Sequence, residues 1–183
     1  METSLFSLWI PIVLSGMALF LASWAAWELL PHHKGEWQGL PDEEGVMTTL
    51  RKLSVPPGQY AMPHACTSQE RKSDQFKSRM VAGPIGTITI WKGRPNMAIN
   101  MLCTILFFLI ANAVIAYLAG MVIPHGRGFS FVFRFVGTAG ILTYGSANIL
   151  NGIWFGRKMV ADIVDGIVYG LITGLIFAAF WPT

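Results

Sequence analysis

The chain has 183 residues, 53% of them hydrophobic and only 13% charged, with a mean hydropathy of +0.50. Soluble domains carry about 25% charge, so this shortage points to a membrane protein and excludes a disordered, collagen-like or disulfide-framework chain. Two cysteines, Cys66 and Cys103, are too few for a disulfide scaffold, and the net charge of +3 comes from Lys and Arg that mostly border apolar segments, which argues against a nucleic-acid partner.

A helix needs about 20 mainly apolar residues to cross roughly 30 Å of hydrocarbon, and four stretches qualify. The first covers residues 5–30. No Lys or Arg precedes it and it is longer than a signal-peptide core, so a retained anchor is expected rather than a cleaved signal. Pro11 is a candidate kink.

Residues 31–96 follow as a polar segment long enough for a small folded lobe. Within it, Pro41-Asp42-Glu43-Glu44 supplies acids for a helix N-terminus, and Val46, Met47, Leu50 and Leu53 recur at amphipathic spacing. Thr67 and Glu70 have capping-box spacing and predict a polar helix through about Met80. Residues 58–62 and 85–91 read as strands, punctuated by Pro56-Pro57-Gly58 and Gly83-Pro84. The segment is expected to be a small α+β cap on the membrane with only a thin core.

The second span, residues 97–123, is closed by Pro124 and carries Asn96, Asn100, Thr104 and Asn112 on a four-residue repeat suited to hydrogen bonds across helices. The third, residues 129–155, is interrupted by Arg134. It is joined through Gly156-Arg157-Lys158 to the fourth, residues 159–181, as an antiparallel hairpin. With four spans, residues 31–96 and the Arg157-Lys158 link share a side that holds nine plus two of the 13 Lys and Arg. The positive-inside rule makes that side cytoplasmic, with both termini periplasmic in a bacterium. The fold expected is thus an α-helical integral membrane protein of four transmembrane helices, with a small α+β cytoplasmic lobe between the first two.

Glycine at Gly166, Gly170 and Gly174 clears one stripe of the fourth span, so that a neighbouring backbone approaches closely and gains dispersion contacts. The third span, with Gly140, Tyr144, Asn148 and Gly152 on a comparable stripe, is the expected partner. Beside that seam Asp165, Tyr169 and Thr173 also recur every four residues. At about 1.5 Å per residue, Asp165 lies in the inner third of the bilayer, near the depth of Asn148. A carboxylate there must face protein or water. Two readings stand: a proton- or cation-handling carboxylate oriented by Asn148 and Tyr169, or an interhelical hydrogen bond with Asp165 snorkelling towards Lys158 and Arg157.

His32 and His33 follow the first span, while His64 and Cys66 form an H-x-C in the lobe. These types are soft and borderline ligands for zinc or copper, but no paired C-x-x-C or H-x-x-x-H accompanies them. No metal site and no cofactor are expected. Walker, dinucleotide, G-x-S-x-G and zincin motifs are also absent from the sequence.

Four strings, PHHKGEWQGLPDE, PPGQYAMPHA, AGPIGTITIWKGRPNM and IWFGR, together resemble a group of small uncharacterised bacterial inner-membrane proteins, over most of the chain. The resemblance implies a bacterial inner-membrane location and carries no activity to any residue. The leading functional expectation is a non-catalytic accessory or assembly subunit of a larger membrane complex, with the lipid bilayer and other membrane subunits, or further copies of itself, as partners. The alternative is a small oligomeric transporter or channel that uses Asp165 for proton or cation handling.

Overall fold

The structure is a computed structural model that describes residues 3–183. Three of its helices are long and apolar enough to cross a membrane: Leu5–Glu28, Met97–Val122 and Val160–Ala179, with mean hydropathies of 2.2, 2.4 and 1.8. The first is a 3-10 turn, Leu5–Leu8, running into α1, Trp9–Glu28. Pro11 falls in the first turn of α1, where a missing N–H costs little because the early amides of a helix lack partners. A second unit, Gly39–Pro95, holds three short helices, α2 (Glu43–Lys52), α3 (Ser68–Lys72) and α4 (Asp74–Ala82), and two strands. It is followed by α5, Met97–Val122, α6, Phe129–Phe155, and α7, Val160–Ala179. Helix α6 matches the others in length but carries Arg134, Asn148 and Asn151 among its apolar residues.

The helical unit, residues 3–38 and 96–183, is built on the α6–α7 hairpin. Gly156 ends α6 in the left-handed region (φ 63°), a conformation glycine adopts without a Cβ clash, and its N–H returns to the Gly152 carbonyl. The chain then reverses into α7, whose glycines meet the α6 backbone directly. A Cβ on Gly174 would stand 2.9 Å from both Gly137 Cα and the Phe133 carbonyl oxygen, and one on Gly140 would stand 2.8 Å from Gly170 Cα. Gly166 faces the backbone of Gly145, and Gly170 that of Ile141. The α6 side of the seam is therefore Gly137, Gly140, Ile141 and Gly145, while Gly152 lies against the Met159 side chain. Helix α1 packs on both α5 and α7, and Gly16 makes room for Leu109 of α5. The core between the helices is filled by Leu8, Leu19, Ile115, Val132, Val136 and Phe177.

One end of the bundle is clasped by hydrogen bonds. Thr3 donates from its amide to the Gly120 carbonyl (3.0 Å) and from its hydroxyl to the Ile123 carbonyl (2.9 Å). The Trp181 indole donates to the Pro124 carbonyl (3.1 Å), and the Gly126 amide to that of Pro182 (2.9 Å). Most of the large apolar side chains on the outward faces of α1, α5 and α7, such as Leu21, Ile110, Val114, Leu118 and Leu175, are exposed. A helix apolar all round, rather than along one stripe, is what a lipid environment selects.

In the second unit, α2, Glu43–Lys52, is capped by Asp42, whose side chain accepts from the Gly45 amide; Glu43 and Glu44 sit in its first turn and Arg51 and Lys52 in its last, matching the helix dipole. The polar helix expected to run unbroken to about Met80 is in fact two. Helix α3, Ser68–Lys72, opens with the reciprocal Thr67–Glu70 capping box, and α4, Asp74–Ala82, follows. The break is at Ser73, whose ψ of 148° leaves the helical region while its hydroxyl accepts from the Phe76 amide and starts the next helix. Strands β1, Gly58–Met62, and β2, Gly86–Ile90, pair antiparallel with Tyr60 opposite Ile88. No residue from 39 to 95 is buried; Tyr60, Phe76, Ile88 and Ile90 are half-buried.

Replacing Gly170 by leucine forces α6 and α7 apart. A loss on the order of 3 kcal/mol is expected in reversible unfolding by SDS in mixed micelles. Gly93→Ala, where a Cβ meets nothing within 4 Å, leaves the transition unchanged.

Candidate functional site

Helix α1 ends where the amides of Leu29 and Leu30 both return to the Ala25 carbonyl. Leu30 is extended and Pro31 opens a 3-10 turn, Pro31–His33, since proline lacks the N–H to continue the helix but suits a first helical position. This turn carries two imidazoles onto the start of α7. His32 Nε2 lies 2.9 Å from Asp165 Oδ1, and His33 Nε2 lies 3.0 Å from Asp165 Oδ2. The Tyr169 hydroxyl, one turn along α7, donates to the same Oδ2 at 3.1 Å. Asp165 is buried, and each of its oxygens has an imidazole of its own.

His33 is held from every side. The residue is 3% exposed and its ring stacks on the Trp27 indole, with centroids 4.1 Å apart and planes 10° from parallel. Its second nitrogen, Nδ1, lies 3.1 Å from Glu36 Oε1 without the alignment of a hydrogen bond. Burial alone disfavours the imidazolium, yet the hydrogen bond that His33 donates to Asp165 and the charges of Glu36 and Asp165 outweigh it, so His33 titrates above the ordinary histidine range.

One turn before Asp165, the buried Asp162 accepts an ion pair from Arg157, Nη2 to Oδ2 at 3.3 Å. Lys158 donates to the Gly35 carbonyl. Three ligand-type atoms stay buried without a hydrogen-bond partner here: His33 Nδ1, Glu36 Oε1 and Asp162 Oδ2. His32, His33 and Asp165 each offer an atom within 4.8 Å of the others, and so do His33, Glu36 and Asp162. An open cleft of about 600 Å³ between α1 and α7 is walled by Ala22, Ala26, Val164 and Val168, with His32, Asp165 and Tyr169 also on its lining.

Among the residues singled out from the sequence, Asp165 and Tyr169 meet directly. Thr173 is buried a turn further on, its hydroxyl returned to the Tyr169 carbonyl (2.9 Å). Asn148 is half-buried on α6 and is not among the hydrogen-bond partners of Asp165. Asp165 is engaged by histidines rather than by Lys158 or Arg157. His64 and Cys66 lie in the second unit, exposed, with Sγ 3.7 Å from Nε2. Among the described residues they gather no third metal-ligating side chain. Sequence reasoning passed over Glu36 and the role of Asp162; the available signal was that residues just after the first span and those opening the fourth fall at the same end of an antiparallel bundle.

Comparison with protein-family models, with curated proteins and with solved structures finds no match, so the site is read from its own geometry.

Removing the carboxylate strips three side chains of their partner. Asp165→Leu is expected to cost roughly 3 kcal/mol in SDS unfolding. Asn148→Leu, off this cluster, is expected to change stability by under about 1 kcal/mol.

Proposed function

We propose that this chain is a four-span protein of a bacterial inner membrane, with α6 as the remaining span, both termini periplasmic and residues 31–96 cytoplasmic, that handles a cation at Asp165 as part of a larger membrane assembly. The observation that carries this reading is the pairing of a buried carboxylate with two histidines and a tyrosine at one end of the bundle. Three side chains converging on both oxygens of one carboxylate give it a fixed geometry, as a binding site requires. Further polar groups lie in the core: Ser15 of α1, Asn112 of α5 and Thr173 of α7 are fully buried, and Tyr144 of α6 nearly so. Ser15 Oγ, Asn112 Oδ1 and the Tyr144 hydroxyl have no hydrogen-bond partner among the described residues. An unmet buried polar atom costs about 1–3 kcal/mol, which ordered water in a polar cavity relieves.

Among the described residues, Leu19, Ile115, Val136 and Phe177 fill the centre of the helical unit. Passage of an ion therefore requires further copies or other subunits, and the accessory-subunit role expected from the sequence becomes one face of the same proposal. Trp24 and Trp27 at one end, and Trp9 at the other, fit the two membrane interfaces.

Two measurements test this. In a Cys103→Ser background, a membrane-impermeant maleimide labels Cys66 in inverted vesicles and leaves intact spheroplasts unlabelled; the reverse pattern overturns the orientation. In proteoliposomes carrying an entrapped pH dye or metal indicator, Asp165→Asn lowers the flux supported by the wild type at least about tenfold, a change of 1.4 kcal/mol or more. Equal flux through wild type and variant removes the cation-handling role and leaves the scaffold.

A further inference from the structure

We propose that His33 Nδ1, Glu36 and Asp162 form a binding site for one divalent transition-metal ion. His33 decides the matter chemically. A neutral imidazole has a single N–H, and its Nε2 already makes a well-formed hydrogen bond to Asp165 at 3.0 Å. Nδ1 then presents a lone pair, and what it meets at 3.1 Å is not a donor but Glu36 Oε1. Two lone pairs held that close in a buried place are relieved by a positive charge between them, either a second proton on the ring or a metal ion, and the poor hydrogen-bond alignment of the pair favours the ion.

The spacing suits one. Metal bonds of about 2.0–2.2 Å put neighbouring ligand atoms roughly 3.3–3.6 Å apart at the tetrahedral angle and roughly 2.8–3.1 Å apart at 90°, so the 3.1 Å between Nδ1 and Oε1 suits a five- or six-coordinate ion rather than a tetrahedral one. Asp162 supplies the third ligand atom, within 4.8 Å of the other two. His33 Nδ1, Glu36 Oε1 and Asp162 Oδ2 are also half of the six buried side-chain atoms in the described chain that lack a hydrogen-bond partner.

The surroundings are those of a metal-bound histidine. An imidazole on a metal donates its other N–H to a carboxylate that fixes its tautomer and raises its basicity; here that carboxylate is Asp165, itself held by His32 and Tyr169. Trp27 fixes the plane of the ring. Charge agrees as well. Glu36, Asp162 and Asp165 are balanced by Arg157 alone among the side chains that pair with them as permanent cations, which leaves two negative charges for a divalent ion to cancel. One imidazole with two carboxylates is a borderline donor set, suited to zinc, iron or manganese rather than to the softer copper(I). Access is provided by a cleft of about 260 Å³ lined by Glu36, Trp37, Gln38, Gly156, Arg157 and Lys158. The half-exposed Arg157 guanidinium, 3.3 Å from Asp162, is the group that an entering ion displaces.

This site does not depend on flux through the bundle: metal bound without flux would overturn only the transport reading. The test uses the full chain, purified in mild detergent and stripped with a chelator. Titration of the wild type with Co²⁺ gives a visible d–d band that saturates at one equivalent, and Zn²⁺ displaces the Co²⁺ while Mg²⁺ does not. Glu36→Gln and Asp162→Asn each weaken Co²⁺ binding at least about 100-fold, at or beyond the 10–100-fold loss typical of removing an outer-shell partner. His64→Ala/Cys66→Ala titrates like the wild type. No saturable band in the wild type overturns the proposal whether or not the variants fold, and in that case His33 answers its two carboxylates as an imidazolium. Variants at Glu36 and Asp162 that titrate like the wild type overturn it too, as does loss of the band in the His64/Cys66 variant.

Discussion

A carboxylate buried in an apolar helix must be met by donors or cations, and everything at one end of this bundle answers that need. Asp165 is buried in α7, yet its donors come from a turn 133 and 132 residues earlier in the chain. The need to satisfy it holds the end of α1 against the start of α7. It also sets the path of the chain after Leu30, because both imidazoles must arrive with Nε2 pointing at α7. Trp27, Glu36 and Tyr169 are arranged around the result.

The glycine seam makes that arrangement possible. Where glycines clear one face of a helix, two backbones approach closely and gain dispersion contacts that bulkier side chains would prevent. With Gly166, Gly170 and Gly174 against the α6 backbone, one face of α7 is committed to α6. Asp165 and Tyr169 are then directed towards α1 and the cleft beside it. The hairpin also anchors Arg157 beside Asp162, because the link between the two helices is too short to let it wander.

The long helices were legible because each is an apolar run with a physical stop: Pro124 after α5, and Gly156 with its positive φ after α6. The strand pair in the second unit was legible from alternation and flanking Pro and Gly. The break at Ser73 was not, since serine in a polar helical pattern reads equally as a solvent-facing residue and as a cap. Asp165 announced itself as a charge in an apolar segment, but its partners did not. Asn148 was the plausible neighbour by depth on the adjoining helix, and depth says nothing about rotation around the helix axis. His32 and His33 stood out only as metal-ligand types beside His64 and Cys66, and Glu36 did not stand out at all. Only a turn that folds back over α7 makes them neighbours, and local sequence does not encode where such a turn leads.

The stacking of Trp27 on His33 places an indole face to face with the imidazole that joins the Asp165 contact to the Glu36 and Asp162 group. A positive charge gained on that imidazole, whether a proton or an ion on Nδ1, lies over the negative face of the indole π-system. One tryptophan of the seven thus lies directly against the histidine whose charge matters, a built-in reporter position that needs no label and no change of fold.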